Sequence, residues 1–211
     1  MSDAVRSVKT RCFCEKTIEK SRFLSYCDRV QSEEEAKAFL SEIRALHPQA
    51  THCCYGFIAD KTGAFQRFSD DKEPQGTAGM PILEVIKNKK LFETAVAVVR
   101  YFGGVKLGAG GLVRAYSSAA ADVLDRAEIC LWRLASAFCV HTDYSRAEGA
   151  QKFFSSRDCI VVRREYGADA TFYILVDTAQ EESFVAALTD CLSGRVRFEK
   201  TGERYYPFDE K

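Results

Sequence analysis

Five of the nine residues from Gly103 to Gly111 are glycine, and two cations, Lys106 and Arg114, stand in and just after that turn. The surrounding stretch, Arg100 to Leu124, reads RYFGGVKLGAGGLVRAYSSAAADVL. Glycine accepts left-handed backbone and leaves room for a ligand or a second chain to come close. Amides at the start of a following helix, at the positive end of its dipole, would face that space. Arg100, Lys106 and Arg114 would add charge, Gly108, Gly110 and Gly111 backbone donors, and Tyr116 a hydroxyl. This is the chemistry of an anion, phosphate or RNA cradle. The same glycines serve equally to pack a helix tightly on a sheet. Known phosphate motifs are absent. No Gly-Lys-Ser/Thr occurs, as a Walker A loop requires, and Gly108-Ala109-Gly110-Gly111 misses the dinucleotide spacing.

A second turn of like character, SDDKEPQGTAGMP, also follows a strand and opens a helix. Its acids Asp70, Asp71 and Glu73 suit a cation, hydrogen bonds from Arg100 or Arg114, or helix capping in a solvated loop. Gly76, Thr77 and Gly79 complete it, and His52 accompanies it from the preceding strand. If the two turns converge, they form a joint cleft. His52, Cys53 and Cys54 do not suit one metal ion, because strand neighbours point to opposite faces. No metal and no cofactor are expected. Ser117 and Ser118 lie on a helix without an evident base, and no catalytic residue is assigned.

The elements that must position these residues follow from periodicity. Two strands meet near Lys20-Ser21. Ser32 and Glu35 form a capping box before a helix with Ala36, Phe39, Leu40, Ile43 and Leu46 on one side. THCCYGFIA and GAFQRFS read as strands, and Pro81 suits the first turn of the next helix. TAVAVVRY is a near-continuous apolar run, hence a buried central strand. The helix after the glycine turn is expected from about Gly111 to Ala127. Tyr101 and Phe102 read as core at a strand end, with base stacking as the alternative.

From Ile129 the pattern restarts as β-α-β-β-α-β, the ferredoxin-like order. Thr178 and Glu181 suggest a second capping box there. Domains are placed at 1–128 and 129–211. Arg163, Arg164, Arg195, Arg197 and Arg204 lie on strands of the second and suggest a basic face.

The chain has 211 residues with 30 Lys and Arg against 30 Asp and Glu, so a generally basic nucleic-acid binder is not indicated. Nine cysteines, mostly within apolar runs, read as reduced, buried thiols. The N-terminal residues do not resemble a signal peptide, and no membrane-spanning run occurs. A cytoplasmic protein is expected, and its oligomeric state is open.

Three segments, HCCYGF, SDDKEPQGTAGMPIL and VVRYFGGVKLGAGGLVRAYSSAA, in this order and spacing, resemble the YigZ/IMPACT family. Lys72 and Gln75 stand where that family usually has glycine and serine. The resemblance implies an α+β chain of two domains. The first would be an α/β sandwich like the second domain of the ribosomal small-subunit protein five, and the second ferredoxin-like. Eukaryotic members are linked to translational control, which implies a non-catalytic regulatory protein of translation or stress response. Its partner would be RNA, a ribosome-associated protein or a translation factor. Two alternatives remain: a phosphate- or nucleotide-binding enzyme using Asp70, Asp71 and Glu73, or a protein–protein interaction module.

Overall fold

The computed structural model describes residues 4–210. Contacts divide the chain into two units, built on Val5–Leu131 and Trp132–Phe208. In the first, the run TAVAVVRY forms β6 (Thr94–Tyr101), buried at every position but the last. A strand apolar on both faces needs cover on both. On one face α1 (Glu33–Leu46) packs Phe39, Leu40 and Ile43 over Ala95, Ala97 and Val99. On the other, α2 (Gly79–Asn88) and α3 (Gly108–Arg126) pack Ile82, Ile86, Tyr116 and Val123 with Val96 and Val98. Cys53 and Cys54 part to these two cores, as strand alternation requires.

The sheet is completed by β2 (Cys12–Ile18), β3 (Ser21–Arg29), β4 (His52–Ile58) and β5 (Gln66–Ser69), in the order β2-β3-β6-β4-β5, all antiparallel. Register sets Arg22 and His52 beside the end of β6, opposite Tyr101 and Arg100. The turns that open α2 and α3 leave from this same end.

Glu19 and Lys20 link β2 to β3 with φ of 45° and 65°. Two left-handed residues give the hairpin turn whose twist matches the strands. Gly103 lies against this tip, where a Cβ would stand 1.9 Å from the Lys20 carbonyl oxygen. Only glycine allows the chain to leave β6 along that line.

The second unit contains β7 (Ile129–Thr142), which begins in the first, α4 (Tyr144–Ser155), β8 (Cys159–Tyr166), β9 (Ala170–Asp177), α5 (Glu181–Cys191) and β10 (Arg197–Asp209). Its strand order, β10-β7-β9-β8, is ferredoxin-like. One face is covered by α4 and α5, where Phe153, Phe154, Phe184 and Leu188 meet Phe138, Phe172 and Ile174. The fold is thus the expected two-domain α+β architecture.

Several local readings differ: Leu46 and Phe102, expected to be buried, are exposed, Arg195 lies before β10 and not on a strand, and three elements differ in bounds, cap or presence. α3 begins at Gly108, not Gly111, because the glycines themselves form its first turn. The second capping box is absent. The Thr178 hydroxyl donates to the Leu134 carbonyl, and Asp177 caps a short 3-10 turn, Thr178–Gln180, before α5. β1 (Val5–Val8), paired with β7, has no counterpart in the sequence pattern, since four residues carry too little periodicity.

Gly103→Ala should cost about 3 kcal/mol or more, because a fixed carbonyl occupies the Cβ position. Gly110→Ala should change stability by less than about 0.5 kcal/mol, since its nearest neighbour would be the Arg114 guanidinium at 3.6 Å. Urea unfolding of the two variants checks the contrast.

Candidate functional site

The acidic turn is a closed hydrogen-bonded device. Asp70 accepts from the backbone N–H groups of Gly76, Ala78 and Gly79 at 2.9, 3.0 and 2.8 Å. Burial alone would raise its pKa, but the three amides together hold it below the ordinary 3.8. The start of α2 therefore already has its anion, supplied by the chain. Asp71 accepts from the Cys53 N–H at 2.7 Å, and its carbonyl lies 2.8 Å from His52 Nδ1. The Thr77 hydroxyl donates to the Pro74 carbonyl. Gly76 has φ 75°, and at Gly79 a Cβ would strike the Ser69 backbone at 2.6 Å.

Glu73 turns inward and is 8% exposed. Its Oε1 accepts from Arg100 Nη1 at 2.7 Å and from the Tyr116 hydroxyl at 2.8 Å, with His52 Nε2 at 3.8 Å. Arg100 Nη2 donates to Ser21 Oγ, while its buried Nε has no hydrogen-bond partner. Tyr116 is fully buried, and burial is the first cause of its strongly raised pKa. This corrects the expected placement of Arg100 and Tyr116. Neither faces an outside anion: Arg100 neutralises an internal one, and Tyr116 donates a hydrogen bond to it. Glu73 of the acidic turn thus joins the two residues that flank the other turn, Arg100 before it and Tyr116 after it.

Open space lies on the other flank of α3. Here the hairpin tip, through Ile18 and Glu19, faces Lys106, Gly111, Arg114 and Ser118 across a groove of about 570 Å³. α3 has no side-chain cap and no acid in its first turn. Its start is thus the opposite of the Asp70-filled start of α2. Gly108 (φ 70°), Ala109 and Gly110 are exposed. Lys106 and Arg114 have no ion-pair partner among the described residues. Lys16 stands nearby, bonded to Ser118 and Asp122. Such a surface attracts an anion without first breaking an ion pair. Sequence reasoning missed the contribution of Ile18 and Glu19; the signal was the tight turn before Ser21.

Elsewhere, His47 bridges two phenols, Tyr26 at 2.7 Å and Tyr101 at 2.9 Å. In the second unit Arg163 pairs with Glu165 at 2.6 Å and Arg197 with Asp169 at 3.3 Å. The expected basic face there is thus interleaved with acids.

A family model for the Impact N-terminal domain matches residues 19–124, and one for a domain of unknown function, DUF1949, matches residues 140–195. The IMPACT family member YvyE of Bacillus subtilis is 34% identical over 192 residues, 91% of this chain and 88% of that protein. The IMPACT family member YigZ of Escherichia coli is 32% identical over 182 residues, 85% of this chain and 89% of that protein. A Thermus thermophilus IMPACT family member is 54% identical over 110 residues, 52% of this chain and 58% of that protein. A solved structure described only as a hypothetical protein superposes with a TM-score of 0.61 at 28% identity, covering 97% of this chain and 100% of that one.

Glu73→Gln should destabilise by about 3 kcal/mol, because it leaves the Arg100 charge buried and uncompensated. Asp70→Ala should cost about 1 kcal/mol at pH 7. Because the folded pKa of Asp70 lies below 3.8, its contribution is present above that value and is lost as pH falls through the folded pKa. Denaturant titrations of the wild type and Asp70→Ala from pH 7 to pH 2.5 should show the gap between them closing only at the acid end.

Proposed function

We propose, from the premise that this chain belongs to the IMPACT family, that it is a non-catalytic regulatory binding protein linked to translation or stress response. Its partner is RNA, engaged through the groove between the β2–β3 hairpin and α3. The observation that carries this is the pair Lys106 and Arg114, both without ion-pair partners among the described residues, lining one groove beside an uncapped helix start. Phosphates there meet two cations beside the start of a helix, and cations of this kind position a nucleic-acid backbone. The neutral total charge confines attraction to this patch and argues for modest, salt-sensitive affinity.

The enzyme alternative draws little support from the acids assigned to it. Asp70, Asp71 and Glu73 each have a carboxylate oxygen already bonded within the protein. Among the described residues, no group of three or more His, Cys, Asp and Glu is arranged to hold a metal ion. No helix among them is long and apolar enough to cross a membrane.

Filter binding of a single-stranded oligoribonucleotide across a salt series tests the proposal. Lys106→Ala and Arg114→Ala should each weaken binding and flatten the slope of log affinity against log salt by about 0.7 for each phosphate left without its cation. Glu19→Asn, which removes the facing acid and suits the left-handed turn, should tighten it. Absence of retention at low salt would sink the RNA reading, and nuclease-resistant capture of one protein would replace it with the protein-module reading.

A further inference from the structure

We infer that the bound RNA is single-stranded, with one unpaired base stacked on Phe102. This rests on the groove being an RNA site, and it names the form of RNA that the site accepts.

Phe102 follows directly on β6 and is 48% exposed, although strand-end aromatics of this type normally join the core. It is nonetheless firmly placed. Its N–H donates to the Thr51 hydroxyl at 3.1 Å, and the buried Arg100 guanidinium lies over its ring, 5.4 Å from the centroid. The next residue, Gly103, abuts the Lys20 carbonyl at the hairpin tip, whose Glu19 lines the groove. Phe102 does not itself line the groove; Gly103 joins it to the hairpin tip that does. Lys106 stands four positions on, so the two Cα atoms lie at most about 14 Å apart.

A supported, exposed aromatic ring next to cations free of ion pairs is the combination that holds single strands. Cations take successive phosphates, and the ring takes a base face. Bases inside an A-form duplex are stacked on one another and cannot reach such a ring. The neighbouring Tyr101 does not compete for this role. Its hydroxyl is bonded to His47, and the Arg22 guanidinium lies over its ring at 5.6 Å.

The test compares a labelled oligoribonucleotide, alone and annealed to its complement, by fluorescence anisotropy with the full chain. The wild type should favour the single strand at least about ten-fold. Phe102→Ala should lose about ten-fold in single-strand affinity while keeping the wild-type salt slope. Lys106→Ala should lower the slope. Phe102→Trp in a Trp132→Phe background should retain binding, and its fluorescence should be quenched when the RNA is added. Equal affinity for duplex, or a Phe102→Ala protein with unchanged melting and unchanged single-strand affinity, overturns this inference and leaves the groove reading intact. No binding by any form overturns both.

Discussion

A carboxylate with 8% exposure is not stable alone in an apolar interior, and Glu73 is held there by Arg100 and Tyr116. The three groups come from three elements: the loop before α2, the end of β6, and the second turn past the start of α3. Desolvation offsets most of the attraction in such a pair, so its effect lies in placement more than in net stability. Once Arg100 and Tyr116 have met Glu73, the glycine turn between them has little freedom left. It must span the gap from β6 to α3 along one path, and that path places Lys106 on the groove side.

The same end of the sheet carries two helix starts with opposite electrostatic fates. At α2, Asp70 bonds three amides, so the positive end of that dipole is already satisfied. At α3, the first turn has neither cap nor acid, and its small residues leave the backbone exposed. The contrast leaves the start of α3 without the internal anion that α2 has. Buried Arg100 reinforces the separation: it serves the internal carboxylate, while Lys106 and Arg114 remain in solvent.

Most of the architecture was legible in the sequence because it rests on periodicity. The apolar run of β6 and the β-α-β-β-α-β pattern after Ile129 encode burial directly, and Ser32 marks a helix start through its bond from the Glu35 N–H. The site was legible in part. Lys106 and Arg114 are exposed on one groove, as their position in a glycine turn suggested. For Arg100 the reading that holds is the hydrogen bond to an acid of the second turn, and for Tyr116 it is the apolar side of its helix; residue type alone does not choose these over contact with an outside anion. Alternation along β6 sets Arg100 on the same face as Val96 and Val98, beneath α2 and α3. Glu73 is open to three readings in the sequence, a cation ligand, an acceptor for Arg100 or Arg114, or a capping acid in a solvated loop, and the bond from Arg100 is the one found. Its burial depends on a partner 27 residues away, which no local pattern reports.

The groove has two walls, and both are anchored at residues 100–103. Arg100 ties the α3 wall through Glu73 and Tyr116. Gly103 ties the hairpin wall, through its approach to the Lys20 carbonyl and its N–H bond to Ser21 Oγ at 3.2 Å. Ser21 also accepts from Arg100, so the two anchors share one hydroxyl. A site framed in this way needs little ordering of its backbone when a ligand arrives, and affinity rises when that cost is small. Lys106 and Arg114 are exposed, long side chains on that frame. For the proposed RNA partner this arrangement suits a constant backbone and variable sequence, since the frame sets the path and the long charged side chains tolerate what passes along it.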